Sequence, residues 1–179
     1  MTKPWRNITT IWLDKKNCVF VFISVNLTGD STTKRMAQTI ANLTGADLHE
    51  IKAQYPYTQA DLDWHAPQSR TSIEQHEHQG HVACVNDFPA LDQYDTIIIG
   101  HPIWWGIPPR LIANAIDQLP LDGKTLATFA TSEGSGYQRS QSYIQRVVDQ
   151  THHQVTIIPG TVLSNQRQAK QWLTKANLI

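Results

Sequence analysis

The sequence predicts an α/β domain in which a parallel β-sheet is covered by helices on both faces. Short, continuously apolar runs recur along the chain, as they do in strands that are buried on both faces. Between these runs lie segments whose apolar residues recur at the three- and four-residue spacing of an amphipathic helix. Alternation of the two patterns is typical of repeated strand–helix–strand units.

Size and composition are those of one ordinary globular domain. The chain has 179 residues, of which 40% are hydrophobic and 17% are charged. Lys plus Arg and Asp plus Glu each number 15, so no overall field favours nucleic acid or an anionic membrane. We therefore expect partners to be recognised by a local site.

The chain shows no targeting or membrane segment. Its first apolar run, CVFVFISV, is too short to span a bilayer, and the residues before it lack the layout of a signal peptide. The two cysteines, Cys18 and Cys84, form neither a CxxC pair nor a metal-binding spacing. These features favour a cytoplasmic protein with reduced thiols.

Five apolar runs are predicted as strands and four periodic segments as helices. Gly45 follows the first helix at the position where a C-cap is expected. The apolar face of that helix consists of Met36, Ala37, Ile40, Ala41 and Leu43, and the same spacing recurs near residues 111–119, 143–148 and 169–176. The predicted strands cover residues 18–24, 46–51, 95–100, 125–131 and 155–163.

Two segments depart from this alternation. Residues 53–92 are polar and rich in His and Gln, and they are predicted as a long surface crossover with at most one weak helix near 69–79. Residues 1–16 are predicted as an N-terminal extension, either an added edge strand or a loose tail. Residues 17–179 then form the single domain.

Small hydroxylated residues follow the first strand in the run SVNLTGDSTTKRMA. Free N–H groups and the helix dipole favour an anion at a helix start, and hydroxyls can donate to its oxygens. The alternative is that Ser31 or Thr32 only caps the helix. The run contains neither a Walker lysine pattern nor GxGxxG, which argues against nucleoside triphosphate or dinucleotide binding at this loop. The candidate phosphate anchors are Ser24, Thr28, Ser31, Thr32 and Thr33.

Two adjacent tryptophans follow the third strand, in the stretch HPIWWGIPP. Neighbouring indoles in a loop need something flat and apolar to lie against, which is either the core or a ligand. After the fourth strand comes TSEGSGYQRS, in which Gly134 and Gly136 allow a turn that exposes backbone groups. The alternative there is an ordinary Gly-rich loop. All three segments follow strands of one parallel sheet, so they converge at its carboxyl edge, where such sheets bind ligands.

Two other candidate sites have weaker support. His76, His78 and His81 lie close together in HEHQGH, but their spacing matches no standard metal-binding pattern, which favours a solvated crossover. Ser132, Ser135 and Ser140 lack a nucleophile elbow, so a hydrolase has little support.

The chain resembles the flavodoxin-like family, in particular small bacterial flavodoxins with a phosphate loop like SxTGTTKxxA and a flavin loop reading PIWWG. YDTIIIGHPIWWG is the most specific part of the match, and TSEGSG supports it. The resemblance covers about residues 18–176. It implies five parallel strands in the order 2-1-3-4-5, a three-layer doubly wound sandwich, bound FMN, and one- or two-electron transfer.

The resemblance also implies a role for each loop. The first loop would hold the FMN phosphate, PIWWG would lie against the isoalloxazine ring, and SEGSG would contact the pyrimidine edge through its backbone. At least one of Trp104 and Trp105 would then stack on the flavin. The cofactor-binding residues so implied are Ser24, Thr28, Ser31, Thr32, Thr33, Pro102, Ile103, Trp104, Trp105, Gly106, Ser132, Glu133, Gly134, Ser135 and Gly136, with no metal ligand.

Charge separates the possible functions. Electron-carrier flavodoxins are typically strongly acidic, whereas this chain has a net charge of zero. The sequence therefore favours an FMN-dependent oxidoreductase that uses NAD(P)H and small acceptors such as quinones, with the 53–92 crossover helping to form the substrate site. Two alternatives stay open: a pure electron carrier for a protein partner, and a non-catalytic flavodoxin-fold binding protein without a cofactor.

Overall fold

The structure is a computed structural model that describes residues 31–77 and 82–179, together with the backbone of residues 19–24. The predicted N-terminal extension, Cys18 and Thr28 lie outside the described residues. Strands and helices alternate along the chain as the sequence predicts, and the crossover between the second and third strands contains one short helix. The elements are β1 (Val19–Ser24), α1 (Thr32–Thr44), β2 (Asp47–Ile51), α2 (Arg70–His76), β3 (Thr96–Pro102), α3 (Leu111–Gln118), β4 (Thr125–Thr131), α4 (Gln138–Thr151), β5 (Thr156–Val162) and α5 (Gln166–Lys175).

The five strands form one parallel sheet in the order β2-β1-β3-β4-β5. This is the order that the family resemblance implies. β3 lies at the centre, and every residue of it is buried except Pro102, which is partly exposed. Parallel neighbours bring the ends of β1, β3 and β4 to the same edge of the sheet, which places the segments that follow them side by side.

Helices cover both faces of the sheet and form two separate apolar cores. Side chains of a strand alternate between faces, so Ile97 and Ile99 belong to the core beneath α3 and α4. Ile98 points the other way, into the core beneath α1 and α5, where it is clustered with Ile40 and Leu173. The α/β architecture with helices on both faces is thus confirmed.

Local signals define the ends of α1. Ser31 is extended, and its Oγ accepts a hydrogen bond from the Lys34 N–H at 3.1 Å, which satisfies one of the free donors of the first turn. Gly45 has φ of 70° and donates its N–H to the Ala41 carbonyl. The C-cap predicted from the sequence is therefore confirmed.

The crossover between β2 and β3 is more buried than its polar sequence predicts. Residues 53–54 pair with residues 83–84 as a short antiparallel extension of the sheet edge. The weak helix near 69–79 is confirmed as α2, which buries polar side chains and satisfies them internally: Thr71 Oγ1 donates to the Asp61 carbonyl at 2.6 Å. The crossover adds Tyr57, Val82, Cys84, Leu91 and Tyr94 to the core beneath α3 and α4, so the expectation of a segment lying only on the surface was wrong.

Cys84 is a free, buried thiol, and burial raises its pKa to about 11. Its backbone N–H donates to Asn114 Oδ1 at 2.8 Å, which ties the crossover to α3. Within the described ranges, no helix is long and apolar enough to cross a membrane.

Candidate functional site

The segment after β3 makes a tight two-residue turn around the tryptophan pair. The Trp104 N–H donates to the Ile107 carbonyl at 2.9 Å, and the Ile107 N–H donates to the Trp104 carbonyl at 3.2 Å. The two central residues both have positive φ, 50° at Trp105 and 88° at Gly106, as in a type I′ turn. Gly suits such a position, whereas a Trp there is strained by about 1–3 kcal/mol.

The two tryptophans have different surroundings. Trp104 meets Tyr57 edge to face, with ring centroids 5.8 Å apart and planes at 90°, and it packs against the core beneath α3 and α4. Among the described residues, Trp105 packs against neither apolar core, and its ring contacts His76, at 5.8 Å between centroids. Trp104 therefore serves the core, and Trp105 is the indole that a ligand can reach.

Buried polar side chains hold this turn against α2. Gln75 Nε2 donates to the carbonyls of Trp104 at 3.0 Å and Pro108 at 3.2 Å. Arg110 donates through Nε to the Glu74 carbonyl at 3.2 Å and through Nη2 to the Gln75 carbonyl at 2.9 Å. Sequence reasoning missed both Gln75 and Arg110, because neither stands in a recognisable motif.

The loop after β4 is organised by Ser132. Its Oγ accepts hydrogen bonds from the N–H groups of Gly134 at 3.2 Å and Ser135 at 2.8 Å, so this hydroxyl is already engaged within the loop. Glu133, Gly134, Ser135 and Gly136 are exposed. A Cβ added at Gly134 or Gly136 would meet no atom within 4 Å, so open space lies beside both glycines.

Thr131, the last residue of β4, contacts both the loop after β3 and the start of α1. Its carbonyl accepts a hydrogen bond from the Ile103 N–H at 3.1 Å, which links the loops after β3 and β4. Its Oγ1 lies 2.6 Å from Thr33 Oγ1, which links β4 to the first turn of α1. Thr131 was not among the predicted site residues, because it stands inside a strand pattern.

The start of α1 places the predicted phosphate anchors in different environments. Ser31 Oγ is used as the helix cap, and Thr33 is buried with its hydroxyl on Thr131. Thr32 is exposed, and its Oγ1 accepts from Arg35 Nη2 at 3.2 Å. The first turn contains no acidic residue, and the N–H groups of Thr32 and Thr33 have no acceptor within the described part of the chain. Ser24 ends β1 beside Ile51, and only its backbone is described.

A chain of polar groups lies beneath the loops. His101 is fully buried, with Nδ1 2.8 Å from the Pro102 carbonyl and Nε2 3.4 Å from the Tyr137 hydroxyl. Tyr137 in turn donates to Thr128 Oγ1 at 2.5 Å. Burial lowers the pKa of His101 to about 4 against the opposing effect of the Pro102 carbonyl, so the ring is neutral at pH 7. His101 is thus a buried, neutral side chain that contacts the Pro102 carbonyl and the Tyr137 hydroxyl beneath the loops.

The histidine cluster of the crossover falls at the boundary of the described residues. His76 Nδ1 lies 2.6 Å from the Ser72 carbonyl, and the His76 ring contacts Trp105. His78 and His81 lie outside the described residues. No group of three or more His, Cys, Asp or Glu side chains is placed to hold a metal ion in residues 31–77 and 82–179.

Two of the concave regions in the described part of the chain differ in their relation to the loops. One, of about 500 Å³, lies between β5 and α5, away from the three loops. The other, of about 1290 Å³, lies between α3, α4 and the end of α2 and includes Trp105 in its wall. Only the second adjoins the edge of the sheet where the predicted site residues meet.

Comparison with known proteins identifies the family. The family model described as Flavodoxin matches residues 21–176. A candidate flavoprotein from Bacteroides eggerthii DSM 20697 is 31% identical, with 88% of this chain and 96% of that chain covered and a TM-score of 0.78. One from Bacteroides uniformis ATCC 8492 is 30% identical, with 88% and 98% covered and a TM-score of 0.75.

A more distant structure shares the fold. It is a flavoprotein from Lactobacillus acidophilus NCFM in complex with FMN, 22% identical, with 87% of this chain and 98% of that chain covered and a TM-score of 0.63. No curated protein matches the chain. Because the family model spans most of the chain and two structures of nearly the same extent are at least 30% identical, the chain belongs to the flavodoxin family.

Proposed function

We propose that the protein binds FMN at the carboxyl edge of its sheet and transfers electrons through it. The observation that carries this proposal is the meeting of the start of α1 with the loops after β3 and β4 at Thr131. Among the described residues, the Trp105 ring lies outside both cores there, and open space lies beside Gly134 and Gly136. These residues fit a ligand with an anionic end and a flat ring. The solved complex of a flavoprotein of the same fold with FMN supports the identity of that ligand.

The start of α1 suits the phosphate end of FMN. The N–H groups of Thr32 and Thr33 have no acceptor within the described chain, and no carboxylate stands in the first turn to repel a dianion. The helix dipole adds a further attraction. The Thr33 hydroxyl is engaged with Thr131, whereas the hydroxyls of Ser31 and Thr32 only accept in their described bonds and can still donate. The two backbone N–H groups and these two hydroxyls are therefore the described groups that would hold the phosphate.

The ring end is formed by the Trp105 turn and the loop after β4. Trp105 would stack on one face of the isoalloxazine, and the backbone from Ser132 to Gly136 would meet its pyrimidine edge. A bulky residue held at a positive φ is costly, and such strain is commonly stored where it serves a site. Bound FMN supplies the electron chemistry, and the protein orients the ring and excludes water from one face.

Within this function we propose a reductase that takes electrons from NAD(P)H and passes them to small acceptors such as quinones. Electron-carrier flavodoxins typically use a strongly acidic surface to attract basic partner proteins. The net charge of zero of this chain argues against such a surface. The 1290 Å³ groove beside Trp105 gives a small molecule access to the turn. The alternatives are a carrier for a protein partner and a binding protein without a cofactor.

Spectroscopy of the purified protein tests this proposal first. We expect visible flavin absorption bands, or their appearance with quenched flavin fluorescence when FMN is added to the apoprotein. A colourless protein that takes up no FMN would leave only the binding protein without a cofactor. For a protein that does bind FMN, NAD(P)H oxidation coupled to quinone reduction supports the reductase, and its absence supports the carrier.

A further inference from the structure

The groove between α3 and α4 is unusually large for a site that takes a compact ligand. Its volume is about 1290 Å³, whereas common small-molecule sites measure about 300–1000 Å³. Its wall includes residues of α4 from Gln138 to Gln150 and also Trp105, at the turn proposed to hold the flavin ring. The small side chain of Ala113 on α3 helps to keep it open. An extended ligand in this groove would therefore have one end beside the proposed flavin.

The charge that lines the groove is positive. Among the described residues, Arg110, Arg139 and Arg146 line it, and no Asp or Glu does. Within the described ranges, none of the three arginines forms a salt bridge with a carboxylate. The nearby acid of α4, Asp149, accepts a hydrogen bond from Gln145 instead. The whole chain has no net charge, so the three guanidinium groups give this groove a local excess of positive charge. Such an excess favours an anionic ligand.

Arg110 is a buried charged residue in the wall of the groove. Its side chain is buried, yet its partners in the described part of the chain are the carbonyls of Glu74 and Gln75. A buried charge without a counter-ion is costly, and an anion bound in the groove would compensate it. The Arg110 guanidinium also lies 5.4 Å from the centre of the Tyr143 ring, and that of exposed Arg146 lies 5.8 Å from the same centre.

Arg139 connects the charged part of the groove to the flavin turn. A Cβ added at Gly106 would lie 2.6 Å from Arg139 Nη1, so the guanidinium rests directly on the turn. Arg146 stands seven residues further along the same face of α4, which is about 10 Å along the helix axis. This separation is suited to phosphate groups at two places on one ligand.

We propose that this groove binds the phosphates of a reduced nicotinamide dinucleotide and that it favours NADPH over NADH. The proposal rests on the proposed FMN function, which supplies the place that the nicotinamide ring would reach. An uncharged quinone would leave buried Arg110 without a counter-ion and would use the charge of none of the three arginines, so the groove fits the electron donor and not the acceptor. The pyrophosphate and the 2′-phosphate of NADPH would occupy the two positions near Arg139 and Arg146.

Titration of the FMN-bound protein with NADP⁺, followed by calorimetry, tests the proposal without turnover. We expect NADP⁺ to bind more tightly than NAD⁺ and Arg139→Gln and Arg146→Gln each to weaken NADP⁺ about 10- to 100-fold. Arg167→Gln is the matched control, because Arg167 is exposed on α5 at the other face of the sheet and should change nothing. FMN affinity is measured in every variant and is expected to stay within about twofold of the unsubstituted protein for Arg146→Gln and Arg167→Gln. Because Arg139 rests on the flavin turn, NADP⁺ binding to Arg139→Gln is measured at saturating FMN.

The outcomes separate this inference from the proposed function. If FMN binds but NADP⁺ does not, or if the two groove substitutions weaken NADP⁺ no more than Arg167→Gln does, the inference is overturned and FMN binding stands. Binding of a polyglutamate peptide in place of NADP⁺ would also overturn it, in favour of an acidic protein partner. If FMN fails to bind while NADP⁺ binding still depends on Arg139 and Arg146, the groove is supported as a nucleotide site and the proposed function fails.

Discussion

Thr33 Oγ1 and Thr131 Oγ1 lie 2.6 Å apart, although the two residues are 98 positions apart in the sequence. Thr33 stands in the first turn of α1, and Thr131 ends β4. Both side chains are buried, so each hydroxyl would lose its partner without the other. This contact fixes the proposed phosphate end of the site relative to the loop that is proposed to meet the ring.

Replacing Thr33 or Thr131 by Val should therefore lower both stability and FMN affinity. Each single change leaves one buried hydroxyl unpaired, which costs about 1–3 kcal/mol in the free energy of unfolding. The double variant should cost less than the sum of the two, because it removes both hydroxyls. Urea unfolding and FMN titration measure the effects, with exposed Thr174→Val as the control. Simple additivity of the two changes would refute the coupling.

The two tryptophans should respond oppositely to substitution. Trp104→Ala removes a ring that packs on Tyr57 and the core, so the free energy of unfolding should fall by about 2–4 kcal/mol. Trp105→Asn keeps the positive φ with a residue that tolerates it, so stability should be unchanged or rise by up to about 1 kcal/mol. FMN affinity should nevertheless fall in Trp105→Asn. Loss of stability in Trp105→Asn as large as in Trp104→Ala would show that both indoles serve the core.

Gly106 should tolerate substitution less well than Gly134. Gly106→Ala adds a Cβ at φ of 88° that meets Arg139 Nη1 at 2.6 Å, so it should destabilise the protein by about 1–2 kcal/mol. Gly134 lies outside the left-handed region and has open space around it, so Gly134→Ala should change stability by less than about 0.5 kcal/mol. Thermal unfolding compares the two variants directly. Equal losses would mean that the Trp105–Gly106 turn is not constrained as described.

Acid should destabilise the protein through His101. Its pKa is lowered from 6.5 to about 4 in the folded state, so the unfolded chain binds more protons between these two values. The contribution is fully present above pH 6.5 and is lost as the pH falls toward 4, by about 3 kcal/mol in total. Urea unfolding from pH 7.5 to 4.5 should show a steeper loss for the unsubstituted protein than for His101→Gln. Exposed His65→Gln should keep the steep profile, and a shallow profile in all three proteins would contradict the buried neutral ring.

The backbone architecture could be predicted because it depends on local apolar periodicity. The central strand contains a run of three consecutive isoleucines, Ile97 to Ile99, and the C-cap of α1 is Gly45, where a left-handed residue was expected. The short helix α2 was harder to predict, since its buried side chains are polar. Their burial is stabilised by hydrogen bonds such as that from Thr71 to the Asp61 carbonyl, and no sequence pattern reports such a contact.

The position of the site could be predicted from the sequence, but the contacts of its side chains could not. Three loops at one edge follow from the strand order, whereas the roles of their side chains depend on contacts between distant residues. The Thr33 hydroxyl contacts Thr131. Trp104 and Trp105 are adjacent in sequence, but in the turn after β3 their rings have different contacts, Tyr57 for Trp104 and His76 for Trp105. Gln75 holds that turn from the crossover helix, 29 residues away in sequence from Trp104.

The central claim is that FMN binds with its phosphate at the start of α1 and its ring at the Trp105 turn. The most direct test is titration of the apoprotein with FMN and, separately, with riboflavin, followed by quenching of flavin fluorescence. We predict that FMN binds and that riboflavin, which lacks the phosphate, binds at least about tenfold more weakly. Failure of FMN to bind, or equal affinity for the two flavins, would contradict this account.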